Sequence, residues 1–168
     1  MIKKIILAAI CLSLCVVYLP ETARGFDEIY ECSGQLLEQY PNLEAIKKQF
    51  GAEAKWEKSS MPSPHDPNLE LQINSMEHPG MAIRTMGYTV DGEDRFLILL
   101  ADVKKAGLVK FLEIDIGSAR EDVIKNFGEP QAIEGNQLIY QDEAEFCLIT
   151  FTVENNAVVE MRFNSYPD

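Results

Sequence analysis

Apolar residues recur at helical spacing in two short stretches that read alike. Leu43, Ile46 and Phe50 form a stripe in NLEAIKKQFG, and Ala119, Val123, Ile124 and Phe127 form one in SAREDVIKNFG. At one constant offset Glu44 matches Glu121, Ile46 matches Val123, Lys48 matches Lys125, Phe50 matches Phe127 and Gly51 matches Gly128. Asn42 and Ser118 stand where N-caps belong, and Glu121 lies three residues after Ser118, the spacing of a capping box. Gly51, Gly128 and Pro130 supply the stops. Helices this short are not stable alone, so each predicts a surface to lie on. A further helix is predicted over DEIYECSGQLLEQY, with Ile29, Leu36, Leu37 and Tyr40 as its packing face.

Between and after these helices the period changes to two, the mark of strands. NQLIYQD, EFCLITFTV and NAVVEMRFN each predict a strand, with ENN as the turn joining the last two. In the middle strand Cys147, Ile149, Phe151 and Val153 share one face, and Phe146, Leu148, Thr150 and Thr152 share the other. Val159, Met161 and Phe163 continue an apolar face on the last strand. Earlier in the chain RFLILLADV, a KKAG turn and LVKFLEIDI predict a matching strand pair, with Val103 before its turn as Val153 is before its own. The first half also carries an added pair around LELQINS and MAIRTMGYTV, an Asp-Gly turn in VDGED, and a Pro-rich stretch, SSMPSPHDP, that reads as a mobile surface loop.

Lys3 and Lys4 precede an apolar run over residues 5–19, followed by Pro20 and ETARGF. Ala23 and Gly25 put small side chains at the positions a signal peptidase reads, so a secretory signal over residues 1–25 is expected, cut after Gly25. The run is short of the roughly 20 residues that a spanning helix needs. Cys11 and Cys15 raise a lipoprotein signal as the rival, but each follows a bulky residue, Ile10 or Leu14. The formal net charge of −12 disfavours nucleic acid and anionic membrane as partners, because both require clustered cations. It is compatible with a basic protein partner, with cations, or with solubility alone.

Processing would leave two cysteines, Cys32 and Cys147, and in an oxidising compartment an even pair predicts a disulfide joining the long helix to the sheet. A reactive thiol served by His65 or His78 is the functional alternative. The two histidines could also ligate a metal, but no third histidine supports them. DGED and DEAE lack the ligand spacing of an EF-hand, and the sequence has no Gly-rich phosphate loop or nucleophile elbow. The expectation is therefore no enzyme, no catalytic residue, no metal and no cofactor.

The stretch IDIGSAREDVIKNFGEPQAIEGNQLIYQD followed by CLITFTVENNAVVEMRF resembles, over residues 116–163, the SmpA/OmlA family of small outer-membrane assembly lipoproteins. The likeness lies in a glycine turn, a helix ending in Gly-x-Pro, a strand with an aromatic, and a hairpin. The tandem arrangement is similar to the β-lactamase inhibitory protein fold, in which two helix-plus-sheet units form one sheet. These resemblances imply an α+β, two-layer chain with short helices on one face of an antiparallel sheet. The units would be residues 26–115, with the Pro-rich loop, and residues 116–168. They imply a non-enzymatic periplasmic or secreted module that binds another envelope or secreted protein, or an inhibitor of a secreted enzyme; a hydrolase with an unrecognised site is the remaining alternative. The candidate interaction face is Leu138, Tyr140, Phe146, Leu148, Thr150 and Thr152, placed by alternation out of phase with Cys147. Aromatics among threonines suit protein recognition; packing beneath a loop is the other reading of the same residues.

Overall fold

The computed structural model describes residues 24–142 and 146–165. In chain order the elements are α1 (Arg24–Gln39), α2 (Leu43–Phe50), β1 (Lys55–Pro62), β2 (Glu70–His78), β3 (Met81–Val90), β4 (Glu93–Val103), α3 (Arg120–Phe127), β5 (Ala132–Glu134), β6 (Gln137–Gln141), β7 (Cys147–Glu154) and β8 (Ala157–Ser165). The strands form one eight-stranded antiparallel sheet in the order β1-β2-β3-β4-β8-β7-β6-β5. This is an α+β fold, as expected.

Turn chemistry explains the meander. Asp91 and Gly92 have φ 54° and 78°, and Asn155 and Asn156 have 49° and 65°, the paired positive φ values that a two-residue hairpin needs to match strand twist. Both turns were legible as DG and ENN. Asn42 Oδ1 accepts the Ala45 N–H at 3.0 Å and caps α2, worth about 1 kcal/mol. The cap of α3 differs from expectation. Ala119, not Ser118, is the N-cap, and the Asp122 carboxylate accepts its N–H at 3.3 Å. Ser118 Oγ instead accepts the Asp115 N–H at 3.0 Å, tightening the turn before the helix. An alanine has no side-chain acceptor, so only the returning half of a capping box exists.

All three helices lie on one face of the sheet. Cys32, Leu36 and Tyr40 of α1, Ile46 and Phe50 of α2, and Val123 and Phe127 of α3 join Met76, Ile83, Ala101, Val103, Ile149, Phe151, Met161 and Phe163 of the strands in a single buried cluster. Its aromatic centre is Phe127, Tyr140 and Phe151, with centroid separations of 5.3, 5.0 and 5.9 Å, tilted or edge-to-face as ring quadrupoles prefer.

Two other expectations change. LVKFLEIDI is not a strand: residues 104–119 form an irregular connection held by the Phe111–Ile114 bridge. Leu112 there has φ 53°, and its N–H donates to Gln35 Oε1 at 3.0 Å while Gln39 Nε2 donates to the Leu108 carbonyl at 3.0 Å. Val109, Phe111 and Ile114 are buried, so the apolar pattern reported burial without a ladder. In SSMPSPHDP, residues 59–62 belong to β1, and the remainder is a hairpin loop whose Ser63 N–H donates to the Leu69 carbonyl at 2.8 Å. Pro62 is admitted because β1 is an edge strand and Pro62 its last residue.

Candidate functional site: the uncovered face of the sheet

Directly opposed residues of an antiparallel pair share a face, so the registers map the side of the sheet away from the helices. One row crosses all eight strands: Lys55 opposes Glu77, Ala82 opposes Asp102, Asp102 opposes Arg162, Arg162 opposes Thr150, and Ile139 links Thr150 to Ala132; Glu77 and Ala82 oppose each other at β2–β3. A second row is apolar across the first half, Ile73 opposing Met86 and Met86 opposing Leu97. Between them Arg84 opposes Leu100, Leu100 opposes Asn164, and Asn164 opposes Leu148.

These side chains are half-buried rather than covered. Ile73, Met86, Leu97, Leu100, Leu148, Thr150 and Thr152 are all of intermediate exposure and Arg84 is exposed, whereas Ile83, Ala101, Ile149 and Phe151 on the helix side are at most 2% exposed. A surface of that kind is apolar enough to gain from burial at ~25 cal/mol per Å², yet carries fixed charges. At its centre Arg162 Nη2 donates to Asp102 Oδ2 and to Glu160 Oε1, each at 2.9 Å, and Lys104 Nζ lies 3.7 and 3.6 Å from the same carboxylates. The bond to Asp102, with help from both carboxylate charges, raises the Arg162 pKa further and keeps it cationic. Asp102 is only 15% exposed, and its Oδ1 is buried with no hydrogen-bond partner among the described residues. Such a network contributes little to stability when it faces water, but it fixes charge positions on an otherwise apolar sheet.

The sequence-derived face divides. Leu148, Thr150 and Thr152 lie on the outer side, and Phe146, just ahead of β7, is 57% exposed. Leu138 and Tyr140 do not belong with them: they are 2% and 0% exposed, opposed to Phe151 and Ile149 on the helix side. Alternation cannot be carried across a loop, because the loop's length sets the register of the next strand. Here that register pairs even-numbered β6 residues with odd-numbered β7 residues. The Tyr140 hydroxyl is used internally, donating to the Gly128 carbonyl at 3.1 Å. Burial pushes its pKa up.

Cys32 and Cys147, the residues of the expected bridge, lie in the same core cluster, with Cys147 a buried thiol in this structure. A buried cysteine packs as a small hydrophobe and needs no bridge to be accommodated. Burial, with the Asp142 charge nearby, pushes the Cys147 thiol up to about 11, opposite to what a reactive thiol requires. Asp142 holds the strand start, its N–H donating to the Cys147 carbonyl at 3.1 Å and its Oδ1 accepting the Cys147 N–H at 3.0 Å.

His65 is exposed in the β1–β2 loop, whereas His78 ends β2 at the opposite end of that strand. The His78 ring packs 5.1 Å from Phe50, and its Nε2 lies 3.7 Å from Glu53. The two histidines are thus not brought together, and among the described residues no group of three His, Cys, Asp or Glu side chains could hold a metal ion. In DGED, Asp94 accepts from Thr89 Oγ1 at 2.7 Å and Glu93 pairs with Arg95 at 2.6 Å, so these acids serve the hairpin. Residues 143–145 of DEAE, and all of the expected signal segment except Arg24 and Gly25, lie outside the described residues.

Sequence reasoning missed Arg84, Asp102, Glu160 and Arg162. The alternation of MAIRTMGYTV could have placed Arg84 outward, but the register break at Arg84/Thr85 and the distance along the chain from Asp102 to Arg162 left their meeting unreadable. Comparison of the chain with protein-family models, with curated proteins and with solved structures finds no match.

Proposed function

We propose that the chain is a non-enzymatic protein-binding module of the cell envelope, periplasmic or secreted, whose binding surface is the uncovered face of the sheet. The observation that carries this reading is the asymmetry of the two faces: three helices bury one, and the other presents half-buried aliphatics around the Asp102–Arg162–Glu160–Lys104 ion pairs. Protein recognition uses such mixtures of apolar area and pre-positioned charge. The export expectation rests on the sequence of residues 1–25, and no helix among the described residues is long and apolar enough to cross a membrane.

The same reading takes the architecture as two tandem units, residues 26–115 and 116–168, each a short helix followed by four strands. The repeated phrase at α2 and α3 supports it. So does a strand order that runs inward from each edge to the last strand of each half, β4 beside β8. The departure is at the join: β4 corresponds to β8 rather than to β7, so Val103 is not the counterpart of Val153. The inhibitor alternative uses the same face and differs only in the partner.

A photo-crosslinking residue at Thr150, or at Ser75, which opposes outward Arg84, compared with one at exposed Lys48 on α2, tests the proposal in envelope extracts. Discrete protein adducts are expected from the sheet positions and not from Lys48. Equal labelling from Lys48, or none from the sheet, would overturn it. If the captured protein is an enzyme, titration against its activity decides between module and inhibitor.

A further inference from the structure

We infer that β1 pairs edge to edge with β1 of a second copy of this chain, antiparallel about a two-fold axis at Trp56, so that the dimer carries one continuous sheet. β1 is eight residues long, lies at the end of the sheet and pairs without a bulge with β2 alone. Seven of its residues are exposed and Trp56 is half-buried. The other edge strand, β5, has only three residues. An edge as long as β1 leaves a row of main-chain donors and acceptors for another strand. Which residues supply them follows from the loop. The Ser63 N–H donates to the Leu69 carbonyl, one step beyond the Pro62–Glu70 pair that ends the ladder. Such bonding alternates along an antiparallel pair, so the odd-numbered residues of β1 bond to β2, and Trp56, Lys58 and Ser60 turn N–H and C=O to the free side. Pro62 falls on that side too, where its missing N–H takes nothing from the sheet. Ala54, with φ −87° and ψ 140°, is extended and prolongs the free edge.

Charge selects the occupant and the register. A two-fold axis normal to the sheet passes through a residue of β1 and keeps the two uncovered faces on one side. Centring it on Lys55, Glu57 or Lys58 sets like charges directly opposite each other, which destabilises the pair. Centring it on Ser59 or beyond opposes no two charged residues of β1. Centring it on Trp56 opposes Lys55 to Glu57 of the second copy, twice by symmetry, and Lys58 to uncharged Ala54. Trp56 then exchanges both main-chain bonds with its counterpart. Its ring is already held against the core, so the two rings meet at little cost in side-chain entropy. β1 itself carries two lysines and one glutamate, which lessens there the repulsion between two chains of net charge −12. The pairing uses main chain at the edge and stands whether or not the uncovered face binds a partner.

Sedimentation equilibrium of the protein recovered from expressing cells tests the inference. A weak, concentration-dependent dimer is expected, as small interfaces give. Lys55→Glu sets glutamates opposite each other at two places and should raise the dissociation constant roughly tenfold or more. Lys55→Glu combined with Glu57→Lys restores opposite charges and should return it to the original value. Lys58→Pro removes an outward N–H while sparing the β1–β2 ladder, and should give a monomer with an unchanged circular dichroism spectrum; if that variant does not fold, the charge pair decides alone. A monomer at every concentration up to about 1 mM, a dimer indifferent to Lys55→Glu, or a double variant no tighter than the single one would each overturn it.

Discussion

Replacing Tyr140 by alanine, beside replacing Phe146 by serine, separates core from surface on one pair of neighbouring strands. Tyr140 is 0% exposed, packs 5.3 Å from Phe127 and 5.9 Å from Phe151, and donates to the Gly128 carbonyl. Deleting a buried aromatic ring costs ~3–5 kcal/mol through lost transfer energy and the cavity left behind, and the orphaned carbonyl adds about 1 kcal/mol. Tyr140→Ala should therefore lose about 4–6 kcal/mol, on the order of 10 °C or more in Tm for a domain of this size. Tyr140→Phe keeps the ring and isolates the hydrogen bond, so about 1 kcal/mol is expected. Phe146→Ser, at 57% exposure, should cost ~1 kcal/mol or less. Urea unfolding with a shared slope gives all three values. If Tyr140→Ala costs no more than Phe146→Ser, or if Tyr140→Phe costs as much as Tyr140→Ala, the placement of Tyr140 in the aromatic centre is wrong.

Alkaline stability follows from burial of the neutral acids. Tyr40 is pushed up from 10.0 to about 12 and Cys147 from 9.0 to about 11 by desolvation. The folded state keeps protons that the unfolded state has released, so stability is intact below pH 9.0 and falls as pH rises towards about 12. The Tyr40 share is on the order of 2–3 kcal/mol; Tyr40→Phe should flatten that part of a pH series of urea midpoints, and an unchanged slope would contradict the burial. Gly128 has φ 77° and ψ −166°, and an added Cβ would meet nothing within 4 Å, so Gly128→Ala tests backbone strain alone and should cost ~1–3 kcal/mol by thermal unfolding. Asn42→Ala should cost about 1 kcal/mol through the lost cap, while Ser118→Ala should leave α3 capped by Asp122, readable as equal helix protection in hydrogen exchange.

Much of the architecture is legible in the sequence, because it is written in local rules. The DG and NN turns, the Asn42 cap, the glycine stops and the period-two runs of β6 and β7 each depend on residues within a few positions of one another, and each appears in place; in β8 the register shift opposite Thr152 and Val153 breaks the expected phase, so Val158 is buried rather than Val159. The alternation of β7 correctly divided Cys147, Ile149 and Phe151 from Leu148 and Thr150. What only the tertiary structure decided is everything that depends on how one element meets another. Register placed Leu138 and Tyr140 with the core, because a loop resets the phase that alternation keeps within a strand. Edge position made a strand of residues 59–62 despite Pro62, and the long connection of residues 104–119 buried its apolar residues without joining them to the sheet. The pairing of β4 with β8 joined Asp102 to Arg162, a contact that neither residue's neighbours announce, since a side chain's partner across a sheet is set by topology and not by its own sequence.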